Sequence, residues 1–186
     1  MGTTTKHRDH VMKVGDVLAI PLSNTRIGVG YVAAYYDPSL AFYVLLYGES
    51  YPTVDDIGLL ASGGEPVLWG LTFDSKVHAG HWKVVGNVPP DGSTLPLPAS
   101  KLEEDGRTIL EDLTGEYWRL ATDEEAQRLR YRKIVAPVRL ENALKAHFGL
   151  TEWEPLFDEL RIVSPEDQSR NIFVITGDEA QLDPGG

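Results

Sequence analysis

Cysteine is missing from all 186 residues of the chain. Its absence excludes a disulfide framework, a thiolate zinc site and a cysteine nucleophile. No apolar run approaches the length of a membrane-spanning helix, and the polar start has no apolar segment typical of a secretory signal. We therefore predict a cytoplasmic protein that does not enter a membrane. With 42% hydrophobic residues, a chain of this length can bury a core without covalent cross-links.

Positive charge is also scarce. Lys and Arg number 17 against 28 Asp and Glu, which gives a formal net charge of −11 at pH 7. Nucleic acids and anionic lipids need cations for binding, so the charge predicts no direct contact with either. It suits a basic protein partner, because complementary fields speed the encounter, and it is equally compatible with solubility alone.

The first half of the chain has the two-residue alternation of strands. Residues 14–22 place Leu18, Ile20 and Leu22 on one face. Gly28 and Gly30 inside the next segment predict a bulge or a close approach of another element. The predicted strands cover residues 14–22, 26–36, 41–47, 67–73, 83–85, 108–110 and 117–120.

The second half changes to helical spacing. Thr122 and Glu125 form a capping-box pattern that predicts a short helix to about residue 130. A second helix follows Pro137 and ends at Gly149, with His147 on its apolar face; Thr151 caps a predicted third helix. The expected fold is α+β: a curved antiparallel sheet, an N-terminal meander or half-barrel, covered by about three C-terminal helices.

We predict a single domain over residues 13–176, which includes late strands near 161–163 and 171–176. Residues 1–12 are expected to be a flexible N-terminus. Residues 177–186 are expected to be an acidic tail.

Sites for nucleotides and metals are not favoured. Gly28 and Gly30 lack the third glycine and the following helix of a dinucleotide-binding loop. His78 and His81 come closest to a metal site, but in an extended segment their spacing places them on opposite faces, and they would chelate together only if Ala79 and Gly80 bend the chain. Zinc needs three or four ligands, and the remaining histidines lie in the N-terminus or on the apolar face of a helix. We predict no catalytic residue, no metal site and no cofactor.

Exposed carboxylates are the candidate partner-binding residues. Two clusters fall in predicted long loops: Asp55 and Asp56, and Glu103, Glu104 and Asp105. Such runs are usually solvated surfaces, and either cluster could instead dock a basic partner. The four Trp residues are expected in the core, and any exposed one would be a candidate interface anchor.

The order of several segments resembles the immunity protein 26 family of bacterial proteins. The first two are residues 13–22 (KVGDVLAIPL) and 28–32 (GVGYV), and the central one is residues 80–87 (GHWKVVGN). The later ones are residues 117–125 (YWRLATDEE), 135–138 (VAPV), 141–149 (ENALKAHFG) and 157–160 (FDEL), with Trp153. The resemblance extends from residue 13 to residue 160.

The resemblance implies an immunity protein of a polymorphic toxin system. Such a protein neutralises a cognate toxin as a stoichiometric inhibitor and needs no catalytic residue. The toxin could be a basic nuclease. The family label is shared with an organophosphate phosphotriesterase, so a hydrolase is the first alternative, with His78 and His81 as its motivation. A non-catalytic scaffold or dimerisation module is the second alternative.

Overall fold

The computed structural model describes residues 12–36, 41–57, 64–90, 100–115 and 118–162. Its larger sheet has five antiparallel strands in the order β4-β3-β2-β1-β5. They are β1 (Asp16–Ser23), β2 (Arg26–Tyr36), β3 (Ala41–Tyr51), β4 (Pro66–Thr72) and β5 (Lys83–Asn87). The sheet is open, and irregular register within all four strand pairs provides the local bends that curve a sheet.

The smaller sheet has four strands in the order β8-β7-β6-β9. They are β6 (Ser100–Glu104), β7 (Arg107–Glu111), β8 (Trp118–Leu120) and β9 (Arg130–Tyr131). The helices are α1 (Ser75–His78), α2 (Asp123–Arg128) and α3 (Pro137–His147), with 3₁₀ turns at Val54–Asp56 and Pro155–Leu160. Together these elements confirm the predicted α+β class with mostly antiparallel sheets.

Both faces of the larger sheet are buried. Leu18, Ile20 and Leu22 lie on one face, as their alternation predicts, and share a core cluster with Leu140 and Leu144 of α3. The opposite face carries a second cluster rich in tyrosine, which includes buried Tyr31, Tyr36 and Tyr43. Because every second residue of a strand points the same way, β1 to β4 must supply apolar residues on both faces.

Helix α3 lies close to the sheet because two strand residues have no side chain. A Cβ atom placed on Gly28 would lie 2.7 Å from Leu144 Cδ2, and one on Gly70 would lie 2.7 Å from Leu140 Cδ2. The register of β2 against β3 is also irregular between Gly28 and Gly30. The strand glycines therefore provide both the close approach and the bulge that the sequence predicts.

A two-residue hairpin joins β6 to β7. Asp105 and Gly106 both have positive φ, 48° and 73°, as a type I′ turn requires. The predicted long loop around Glu103, Glu104 and Asp105 was therefore wrong, because these residues lie at the end of β6 and in its tight turn.

Three other details correct the sequence-based expectations. The third helix is a 3₁₀ turn whose N-cap is Glu154, not Thr151, and Pro155 begins it. His147 is an exposed residue and not a core histidine. Met12, expected in the flexible N-terminus, is 2% exposed and belongs to the core. The expected late strand at 171–176, the tail at 177–186 and residues 1–11 lie outside the described residues.

Candidate functional site

Asp55 and Asp56 lie in the 3₁₀ turn that follows β3, and both are exposed. The Asp56 carboxylate accepts hydrogen bonds from the Thr53 amide at 3.1 Å and from the Thr53 hydroxyl at 2.6 Å. Ile57 anchors the turn, because it packs against the second core cluster of the sheet. Asp56 therefore caps the turn, whereas Asp55 extends from it into solvent.

Next to this turn, the end of β3 carries aromatic rings and a further carboxylate. Tyr47 and Tyr51 are half-buried against the second core cluster, and Glu49 between them is exposed. Glu49 Oε2 accepts a hydrogen bond from the Tyr51 hydroxyl at 2.7 Å, and this bond raises the pKa of Tyr51. A Cβ on Gly64 would lie 3.3 Å from Tyr47 Cδ1 and 3.4 Å from Glu49 Oε2, so both side chains border the same point of the backbone.

We call the end of β3 and the 3₁₀ turn that follows it, which carry Tyr47, Glu49, Tyr51, Asp55 and Asp56, the tyrosine–carboxylate face. In the part of the chain that the structure describes, no Lys, Arg or His forms an ion pair with any of its three carboxylates. Sequence reasoning found the two aspartates but missed the rest. The alternation that begins at Tyr43 and continues through Tyr51 would have placed the rings and Glu49 on one face.

The hairpin cluster has different surroundings. Glu103, Glu104 and Asp105 are exposed, but Glu104 is paired in register with Arg107 on β7. The charge of Glu103 raises the pKa of Tyr131, and the Lys101 ammonium lies 4.6 Å from the centre of the Tyr131 ring. The structure places the two predicted carboxylate clusters in different elements, one in the 3₁₀ turn after β3 and the other in the β6–β7 hairpin, and no hydrogen bond or ion pair between described residues joins them.

His78 and His81 lie on either side of a sharp bend. His78 ends α1, and Gly80 turns the chain with a φ of 73°. His78 Nε2 lies 2.9 Å from the Asp74 carboxylate. Within the described ranges, no group of three His, Asp or Glu residues has the arrangement of a metal site.

A buried polar cluster that the sequence did not predict joins the two sheets. The Arg132 guanidinium, 4% exposed, forms an ion pair with Glu111 of β7 and lies 4.5 Å from the centre of the Tyr36 ring. It also donates to the Glu111 and Asp112 carbonyls at 3.1 and 2.6 Å, and Tyr36 donates to Glu111 at 2.8 Å. These contacts fix the smaller sheet against β2.

Tyr43 is the buried neighbour of this cluster. Its ring stacks on Trp69 with centroids 6.3 Å apart. Burial raises the pKa of Tyr43 to about 12. Its hydroxyl has no hydrogen-bond partner among the described residues, which is unusual for a buried polar group.

Two further buried carboxylates have structural partners. Glu141 accepts from Lys145 at 2.7 Å, Lys76 at 3.0 Å and the Trp82 indole at 3.1 Å. Burial acts to raise the pKa of Glu141, but these donors outweigh it and lower the value. The Glu125 carboxylate accepts hydrogen bonds from both terminal nitrogens of Arg119, at 2.8 and 2.6 Å. It also completes the predicted capping box with Thr122. Both carboxylates stabilise the fold and neither lies in the tyrosine–carboxylate face.

These features define an α+β protein of two mostly antiparallel sheets whose most distinctive surface combines tyrosine rings with exposed carboxylates. In comparisons with known proteins, no family model, curated protein or solved structure matches the chain. No helix among the described residues is long and apolar enough to cross a membrane.

Proposed function

We propose that this protein is a bacterial immunity protein that binds a cognate toxin in the cytoplasm and neutralises it as a stoichiometric inhibitor. The observation that carries the proposal is the exposure of all five predicted partner-binding carboxylates: Asp55, Asp56, Glu103, Glu104 and Asp105. On a chain with a net charge of −11, they form surfaces suited to a basic toxin such as a nuclease.

The segments that resemble the immunity protein 26 family contribute to the framework of the fold. Residues 13–22 include most of β1, and residues 80–87 include β5. The two strands pair, and the Asn87 side-chain amide donates a hydrogen bond to the Asp16 carboxylate at 2.8 Å across them. Trp82 from the central segment donates to Glu141 of α3 at 3.1 Å. The segments that carry the resemblance therefore help to build the scaffold, while the exposed carboxylates at 55–56 and 103–105 lie between those segments.

Co-expression tests the proposal. The toxin domain encoded beside the gene is produced in a sensitive bacterium with and without this protein, and survival is counted. We expect survival only when this protein is present, and with purified components a toxin activity that falls linearly to zero at a one-to-one ratio. Equal killing in both cultures would refute the proposal. Complete protection at a small fraction of one equivalent would instead favour a hydrolase.

A further inference from the structure

The hairpin between β6 and β7 has an aspartate followed by a glycine, Asp105 and Gly106, at its two turn positions. Both residues are exposed, and Asp105 is the only described residue other than glycine with a positive φ. Glycine after aspartate leaves their shared peptide bond open to the aspartate side chain, because glycine has no Cβ to block the approach. The turn therefore combines a chemically reactive sequence with an uncommon backbone conformation.

Neither reacting group is held by another part of the described chain. Among the described residues, the Asp105 carboxylate has no hydrogen-bond or ion-pair partner, and the Gly106 amide donates to no carbonyl or side chain. A Cβ atom placed on Gly106 would have no described atom within 4 Å, so no neighbouring side chain crowds the peptide bond. Asp112, by contrast, accepts a hydrogen bond from the Gly115 amide at 2.7 Å, which engages its carboxylate in a turn of its own.

The positive φ of Asp105 favours a ring closure between these two groups. The first central residue has positive φ in both two-residue hairpin turns, with a ψ of about 30° in type I′ and about −120° in type II′. Rotation to the type II′ value brings the Gly106 nitrogen to the same side of the Cα–C bond as the Asp105 Cβ, within reach of the side-chain carboxyl carbon. Because glycine adopts either sign of φ, the flip of this one peptide bond leaves the strand pairing in place.

We propose that Asp105 is a site of spontaneous backbone modification, which converts it to isoaspartate through a cyclic imide. The Gly106 nitrogen attacks the Asp105 carboxyl carbon in its acid form. The N–Cγ bond forms, the Cγ–OH bond breaks, and the hydroxyl leaves with the amide hydrogen as one water molecule. Water then adds to a ring carbonyl carbon and breaks its bond to nitrogen. Addition at Cγ restores aspartate, whereas addition at the backbone carbonyl gives isoaspartate, in which the chain runs through Cβ and Cγ.

The modification changes the hairpin in two ways. The imide has no carboxylate, so the exposed cluster of Glu103, Glu104 and Asp105 loses one negative charge while the imide persists. Isoaspartate adds one methylene carbon to the backbone of a two-residue turn, which shifts the last strand pair, Glu104 and Arg107. Neither change requires a toxin, so the modification does not depend on the proposed function.

The test incubates the purified full chain at neutral pH and physiological temperature and follows isoaspartate with time. Trypsin releases residues 102–107 as one peptide, and isoaspartyl methyltransferase with a labelled methyl donor then marks the isoaspartate in it. We expect labelled product to accumulate in this peptide, together with a species lighter by one water molecule. The other aspartate–glycine pair of the chain, Asp91 and Gly92, lies outside the described residues and is released separately in residues 84–101.

Two substitutions at the same position separate ring closure from other causes. Asp105→Glu is the matched control, because it keeps the negative charge but would have to close a larger ring, and it should lose the label from residues 102–107. Asp105→Asn should form isoaspartate faster than the wild type, because its amide is uncharged at neutral pH and loses ammonia in the same ring closure. Urea unfolding checks that both variants are folded.

A parallel incubation of the wild type in urea tests the contribution of the turn. We expect the native chain to form isoaspartate in residues 102–107 at least as fast as the unfolded chain, because the turn holds φ positive. Absence of the product from the native chain, or faster formation in urea, would overturn the proposal. An equal signal from Asp105→Glu would do the same, since the label would then not report ring closure at this residue.

Discussion

Replacement of Glu125 by glutamine should destabilise the fold more strongly than the same change one residue earlier. The Glu125 side chain is 5% exposed. Its carboxylate accepts hydrogen bonds from both terminal nitrogens of Arg119 and from the Thr122 backbone amide. The Glu124 side chain is 73% exposed, and within the described ranges its one ion-pair partner is Arg128. E125Q removes the negative charge from a buried bidentate ion pair with Arg119, whereas E124Q removes it from a solvent-exposed ion pair with Arg128.

The magnitude follows from the pKa of Glu125. The hydrogen bonds from Arg119 lower the pKa of this carboxyl from 4.5 to about 2, even though burial acts in the opposite direction. One pKa unit corresponds to about 1.4 kcal/mol, so the fall from 4.5 to about 2 means that the ionised carboxylate contributes at most about 3.5 kcal/mol. The pair lies beneath a single short helix, where water screens part of the attraction. We therefore expect E125Q to lower the unfolding free energy at pH 7 by about 2 kcal/mol and E124Q by less than about 0.5 kcal/mol.

The pH dependence provides a second test. A carboxylate whose folded pKa lies below its unfolded value stabilises the protein above the unfolded pKa and loses this contribution as pH falls toward the folded value. The difference between wild type and E125Q should be complete above about pH 5 and should shrink as pH falls toward 2. Urea unfolding followed by Trp fluorescence at several pH values measures it. Equal losses for E125Q and E124Q, or a difference that does not change with pH, would refute the reasoning.

Two further pairs of substitutions test the packing. Gly70→Ala should lower the unfolding free energy by about 1–3 kcal/mol, because its Cβ would lie 2.7 Å from Leu140 Cδ2. Gly86→Ala is the control, since no atom of the described residues lies within 4 Å of its Cβ, and comparable urea midpoints for the two variants would contradict this account. Tyr36→Phe should lose about 1 kcal/mol with its hydrogen bond to Glu111, whereas Tyr43→Phe should leave stability unchanged or increase it, because its buried hydroxyl has no described partner. A loss for Tyr43→Phe as large as that for Tyr36→Phe in the same unfolding assay would show that the hydroxyl is paired.

The sequence predicts the elements whose physical causes are local. The strands of the larger sheet follow from alternation, and α2 and α3 follow from the capping box and from proline and glycine at their ends. Strand β6 was missed because Lys101, Glu103 and Glu104 leave little apolar alternation to detect. Helix α1 was missed because a four-residue helix has too few turns for a periodic pattern.

The candidate site was predictable only in part. The exposure of Asp55 and Asp56 follows from their turn-rich surroundings, and the structure places both at the surface. The Arg132 cluster depends on bringing a segment after β9 against β2 and β7, and no spacing along the chain encodes that contact. The toxin-binding role and its partner are proposals that the protection experiment tests.

The position of β5 at the edge of the larger sheet has a consequence for folding order. Strands β1 to β4 form a meander in which each strand pairs with its neighbour in sequence, so we expect these contacts to form early. Strand β5 pairs with β1, and the contact between Asp16 and Asn87 spans 71 residues. During synthesis, the backbone groups on the outer edge of β1 therefore stay unpaired with β5 until residue 87 has left the ribosome. A transient opening of the native sheet should begin at the same place, because β5 is short and, among the strands that the structure describes, pairs with β1 alone.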